Sequence, residues 1–340
     1  MSDRNFYQQL KSILKTEAVV LATIVEVIGS APREVGAKMA ICADGRIIGT
    51  IGGGAGEGKV IESALKVLET GQKQLVEVDL TGVSGKDIQG VCGGRVRVWL
   101  EKWSGKQTDI VAQILKLFES GQSAQLVIPF AQNIQPYLIK NCQYERTTVR
   151  PYTPQFTEVI QPPPTLLIIG GGHVALALAQ IASFAGFEII VQDDRPEFVT
   201  PQRFPQAAFL TRSLDEALDR LITHQQLYIA LVTRGLTQDI TALQAILQRR
   251  IGYQYIGAIG SQKRIRAIDR AMDISLKELP NFYAPIGLDI GALTPEEIAV
   301  SICGELIKVR RGGTGLSLCD RVQHSRSTKV HIGELLYAKL

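Results

Sequence analysis

The period of the apolar positions changes several times along the chain. Phe6, Leu10, Ile13 and Leu14 share one face of a helix expected over residues 1 to about 17. The β-branched run from Val19 to Ile28 predicts a strand. Two short apolar runs, 38–42 and 46–51, are joined through Asp44-Gly45, a hairpin signal. The second run enters Gly52-Gly53-Gly54 and then a segment with Val60, Ala64, Val67 and Leu68 on one helical face, closed by Gly71. A strand over 75–80, an alternating strand after Gly94, a helix over 109–121 and a strand over 125–130 follow. The pattern of 131–150 is irregular and is expected to form strands.

At Gln161-Pro162-Pro163-Pro164 the texture changes, and a proline run of this kind acts as a semi-rigid connector. It divides the chain into an expected N-terminal domain, residues 1–160, and a C-terminal domain, residues 161–340, that ends in a helix and a tail. The second part alternates buried-type strands with helices: strands over 166–169, to 193, 228–233, 255–259 and near Tyr283, with helices between them. That rhythm predicts a doubly wound parallel sheet. The fold class is therefore α/β, an N-terminal α+β domain followed by a Rossmann-like domain. Thr294, Pro295 and Glu297 give the last helix an N-cap, a first-turn proline and a capping box.

Composition narrows the functional classes. The chain has 340 residues, 45% hydrophobic, with 37 Lys and Arg against 33 Asp and Glu. A net charge of +4 without a basic block argues against nucleic acid as a partner. The mixed-charge N-terminus does not read as a signal peptide, and Glu26 interrupts the apolar run from Ala18, so a cytoplasmic protein without a membrane segment is expected. Five widely spaced cysteines fit neither a disulfide framework nor a zinc motif.

Candidate chemistry concentrates in two places. Gly52, Gly53 and Gly54 precede a helix N-terminus, where free amides and the helix dipole favour anions, and Arg33 and Lys38 could add positive charge. The alternative is a tight strand-to-helix turn with no ligand. Cys92, before Gly93 and Gly94, is either a small buried hydrophobe or an accessible thiol with Arg95 and Arg97 near in sequence. In the second domain Gly170, Gly172 and Ala175 fit G-x-G-x-x-G/A, and Asp193 or Asp194 stands where a ribose hydroxyl would be met. His173, inside that turn, is either a ligand contact or a helix cap.

Three separated stretches then agree. Gly29-Ser30-Ala31-Pro32-Arg33 with Gly36, Gly49-Thr50-Ile51-Gly52-Gly53-Gly54 with Glu57, and Cys92-Gly93-Gly94 resemble the N-terminal domain of the XdhC/CoxI family of xanthine dehydrogenase accessory factors. LLIIGGGHVALALAQIA, VQDDRPEF, YIGAIGSQKR and PIGLDIGALTPEEIAVSI resemble its Rossmann-type C-terminal domain. The chain departs from parts of the pattern: Ala55 stands where CoxI-like members tend to carry cysteine, and Arg234 follows Thr233 where many relatives have histidine.

The resemblance implies a chaperone rather than a catalyst. Such a protein binds the molybdenum cofactor (molybdopterin), protects it during sulfuration by a sulfur-donating desulfurase, and delivers it to an apo xanthine dehydrogenase-type molybdenum hydroxylase. It implies Arg33, Lys38, Gly52 to Gly54, Glu57 and Cys92 to Gly94 as cofactor-binding candidates, with Cys92 as a candidate contact to molybdenum. Gly170, Gly172, His173, Asp193 and Asp194 are candidates for NAD(P) or another nucleotide. A homodimer is the expected assembly. Two other functions stay open from sequence: an NAD(P)-dependent oxidoreductase, which lacks a recognisable proton donor, and a nucleotide-sensing scaffold.

Overall fold

Val19–Ile28 forms a strand buried on both faces over most of its length, and the first half of the molecule is arranged around it. The computed structural model describes residues 3–80, 93–140 and 154–319. It separates into two compact units, residues 1–163 with 223–226, and residues 164–222 with 227–340.

In the first unit α1 (Asp3–Ile13) leads to β1 (Val19–Ile28), the hairpin β2 (Lys38–Ile41) and β3 (Ile47–Gly49), and α2 (Ala55–Thr70). β4 (Gln74–Asp79), β5 (Arg95–Trp103), α3 (Thr108–Glu119), β6 (Ala124–Pro129), β7 (Tyr137–Lys140) and β8 (Gln155–Ile160) complete its described elements. The described strands form an antiparallel sheet of order β3-β2-β1-β5-β4 and a smaller one of order β7-β6-β8. Successive strand residues point to opposite faces. Val19, Leu21 and Val25 accordingly join a core with residues of α1 and α3, and Val20, Ala22 and Ile24 join another with Val60, Ala64 and Val67 of α2.

The second unit runs β9 (Thr165–Ile169), α4 (His173–Phe184), β10 (Glu188–Gln192), β11 (Ala207–Thr211), α5 (Leu214–Leu221), β12 (Leu227–Leu231), α6 (Leu236–Gln248), β13 (Tyr255–Ala258), α7 (Gln262–Ala271), β14 (Phe282–Tyr283) and α8 (Pro295–Arg311). All pairs in its sheet are parallel, in the order β11-β10-β9-β12-β13-β14. This is the doubly wound order, with its switch point where the chain reverses beside β9. Leu166 and Ile168 face a core with α4 and α8, while Leu167 and Ile169 face one with α5, α6 and α7. Both faces are thus covered, which explains the unbroken apolar runs in the sequence.

The predicted capping box at Thr294 and Glu297 is present, with Pro295 in the first turn. Cys303 is buried on the inner side of α8. β8 and β11 were not predicted; β11 is a five-residue, half-buried edge strand with two alanines and no alternation to read. No helix among the described residues is long and apolar enough to cross a membrane.

Candidate functional site

Three glycine-bearing segments of the first unit meet at one end of its larger sheet. After β1, the chain turns at Gly29 and continues through Ser30, Ala31, Pro32 and Arg33. A Cβ on Gly29 would lie 3.1 Å from the Gly93 carbonyl oxygen, and one on Gly94 would lie 2.4 Å from the Ser30 oxygen and 2.6 Å from that of Ile28. Side chains cannot occupy that crossing, so glycine is required for the two backbones to touch. On the other flank, a Cβ on Gly52 would lie 3.6 Å from the Pro32 ring. The turn that carries Arg33 therefore sits between Gly52 and Gly93-Gly94. Cys92 itself lies outside the described residues.

The loop entering α2 has an unusual backbone. Gly52, Gly53 and Gly54 have φ of 143°, 78° and 70°, a run of positive values that residues with a Cβ rarely adopt. No atom lies within 4 Å of a Cβ built on Gly53 or Gly54. For these two, then, the need for glycine comes from conformation and not from crowding. Glu57, in the first turn of α2, reaches back to hold the loop: its Oε1 accepts from the Thr50 hydroxyl at 2.5 Å and from the Ile51 amide at 3.0 Å. The Thr50 hydroxyl oxygen accepts from Gly52 N at 3.1 Å. Among the described residues nothing accepts from the Gly53 and Gly54 amides, and both residues are exposed at the helix N-terminus. Arg33 is exposed as well.

Lys38, also expected at the site, is committed elsewhere. Its ammonium pairs with Glu158 of β8 and donates to the Gly36 carbonyl at 2.9 Å, with side-chain exposures of 7% for Lys38 and 13% for Glu158. It fastens the Gly29–Lys38 turn to the smaller sheet. Burial pushes the Glu158 carboxyl up, against the pull of Lys38. Arg95 and Arg97 are likewise engaged. Both contact Glu77, at 3.5 and 3.3 Å, and Arg97 also donates to Glu26 at 2.8 Å. Of the cations named from sequence in this unit, Arg33 is the one left exposed and without an ion pair among the described residues.

The Rossmann turn is built as its motif requires. Gly170, at φ 109°, packs against the backbone of Val232, and the third motif position, Ala175, is fully buried. His173 is the exposed first residue of α4 and makes no side-chain cap. Asp193 is buried, and its carboxylate carries four hydrogen bonds. Oδ2 accepts from the Gly171 amide at 2.7 Å and from Arg195 Nη2 at 2.7 Å; Oδ1 accepts from Arg195 N at 3.0 Å and Arg195 Nε at 2.8 Å. Burial alone would push this carboxyl up, but those donors together hold it well below the usual carboxylate range. Asp194 makes a two-pronged ion pair with Arg234, at 2.8 and 2.9 Å. The sequence reading missed Arg195 and Phe198, although both lie within the VQDDRPEF stretch.

Family models match both units: one for the XdhC and CoxI family over residues 13–79, and one for the XdhC Rossmann domain over residues 166–306. A protein of Bacillus subtilis named as a probable xanthine dehydrogenase component is 30% identical over 334 residues, covering 90% of this chain and 98% of that protein. The chain belongs to the XdhC and CoxI family. Another XdhC/CoxI relative, the molybdenum cofactor insertion chaperone PaoD of Escherichia coli, is 25% identical over 305 residues, 88% of this chain and 86% of PaoD. A crystal structure described as a xanthine dehydrogenase from Bacillus halodurans matches with a TM-score of 0.76 at 25% identity, over 94% of this chain and 98% of that one. The XdhC/CoxI motifs named from sequence are thus the segments that meet at Gly29, Gly52 and Gly94.

Proposed function

We propose that this chain is an accessory protein that takes up the molybdenum cofactor, shields it while a desulfurase installs its terminal sulfur, and delivers it to a xanthine dehydrogenase-type hydroxylase in the cytoplasm. The observation that carries the reading is the meeting of three family motifs around a glycine loop with exposed amides at Gly53 and Gly54. Molybdopterin ends in a phosphate. Amides at a helix N-terminus receive such a group through hydrogen bonds and the helix dipole, and Arg33 on the adjoining turn would add a charge-assisted contact. Glu57 holds the loop open without occupying it, because its carboxylate points back to Thr50 and Ile51.

In this reading Cys92, next in sequence to Gly93, supplies a thiolate toward the metal, since soft thiolates suit such a partner. Gly93 and Gly94 then serve to bring that part of the chain against Ser30. The relative PaoD is named as an insertion chaperone, and the Bacillus subtilis relative as a probable xanthine dehydrogenase component; both names favour the same role.

The test is activation of a client. An apo xanthine dehydrogenase produced without this chain should gain activity when the chain is co-expressed, and Arg33→Ala and Cys92→Ser should each lower the gain. Equal activation by wild type and by both variants would remove the assigned site, and no activation of any molybdenum hydroxylase would remove the function.

A further inference from the structure

The Rossmann half carries the fold in which NAD and NADP are held, yet its own side chains stand where such a dinucleotide would be read. In that mode a carboxylate at the end of the second strand accepts the ribose hydroxyls, and the pyrophosphate lies against the glycine turn. Here the corresponding acid is Asp193, just beyond β10. A carboxylate has about four acceptor sites. All four on Asp193 are filled, one by Gly171 and three by Arg195.

The chain after Asp193 then folds over the turn. A Cβ on Gly171 would lie 2.6 Å from the Phe198 carbonyl oxygen, so the backbone of residue 198 rests on the turn itself. Phe198 is held between two guanidinium groups, Arg195 at 3.5 Å and Arg203 at 5.0 Å from the ring centre, and Arg203 donates to the Gly171 carbonyl at 2.8 Å. The Asp194–Arg234 pair adds a second closure. It runs from the end of β10 to the end of β12, and β9 lies between those strands, so it reaches across the switch point.

An open hollow of about 670 Å³, walled in part by Pro196, Val199, Leu210 and Thr211, has room for an aromatic base. A ribose running from it to Gly172 would still have to pass the end of β10, where Asp193 and Arg195 are paired. We propose that segment 193–203 is a built-in occupant of the dinucleotide site, so that the Rossmann half of this chain takes no NAD(P)-type dinucleotide while that segment is in place.

The test is a calorimetric titration of the full chain with NAD⁺, NADH, NADP⁺ and NADPH, each to about 1 mM, the upper end of ordinary substrate affinities. Wild type is expected to show no saturable binding. Arg195→Ala combined with Phe198→Ala, confirmed as folded by circular dichroism, is expected to gain saturable binding by at least about tenfold, to well below that ceiling. Arg195→Ala alone, which frees two of the four acceptor sites, serves if the double variant does not fold. Saturable binding to wild type overturns the proposal. So does the absence of binding to a folded, opened variant, since the segment would then not be what excludes the ligand. Neither result bears on cofactor delivery, which is read by activation of the client.

Discussion

Gly94→Ala is the sharpest perturbation of the glycine crossing. The added methyl would stand 2.4 Å from the Ser30 oxygen, 2.6 Å from that of Ile28 and 2.8 Å from Ser30 N, all backbone atoms that cannot rotate away. Ordinary contact begins at 3.4 Å, so the 2.4 Å approach must open by about 1 Å, and the turn from Gly29 to Arg33 must move with it. Overpacking of this kind costs about 1 to 3 kcal/mol. At about 2 to 4 °C per kcal/mol for a unit of this size, the melting temperature should fall by about 2 to 12 °C. Gly45→Ala is the control: the hairpin glycine has φ 84° and no atom within 4 Å of its added carbon, so it costs backbone strain of about 1 to 2 kcal/mol without moving the turn. Both variants would be melted by calorimetry and assayed for molybdenum per chain after expression in a host that makes the cofactor. Gly94→Ala should lose cofactor and Gly45→Ala should keep it at a similar loss of stability. A Gly94→Ala protein that melts within about 1 °C of wild type, or that holds as much molybdenum as Gly45→Ala, refutes the reasoning.

Two further outcomes follow from buried charges. Glu158→Gln leaves the Lys38 ammonium buried without its counter-charge, which typically costs about 3 to 5 kcal/mol, and urea denaturation should show most of that loss recovered by Lys38→Met in the same protein. Asp193 is held below its unfolded value of about 3.9, so its contribution is present above that pH and fades as pH falls toward the folded value. The stability gap between wild type and Asp193→Asn should therefore be full at pH 7 and narrow below about pH 4; a gap that widens on acidification would show that the Arg195 contacts do not set that carboxyl.

Much of this architecture could be read from local sequence because local patterns produce it. The parallel sheet follows from apolar runs alternating with helices, and the glycine loop at a helix N-terminus from Gly52 to Gly54 preceding an amphipathic segment. What escaped depends on residues far apart. Lys38 looks like a free cation until Glu158, 120 residues away, is folded against it. Asp193 looks like a ribose acceptor because its position fits the motif, and no spacing rule reveals that Arg195 will fold back and fill it. The approach of Gly94 to Ser30 is of the same kind, since it depends on β5 pairing with β1 in register.

The central claim is that the loop around Gly53 and the turn bearing Arg33 receive the molybdenum cofactor. Its most direct test is the molybdenum and pterin content of the chain, purified without oxygen from a host that makes the cofactor, beside Arg33→Ala. The account predicts both components in equal amounts on wild type and a marked loss of both on the variant, with the fold unchanged. Wild-type protein that repeatedly carries neither, or a variant that carries as much as wild type, contradicts it.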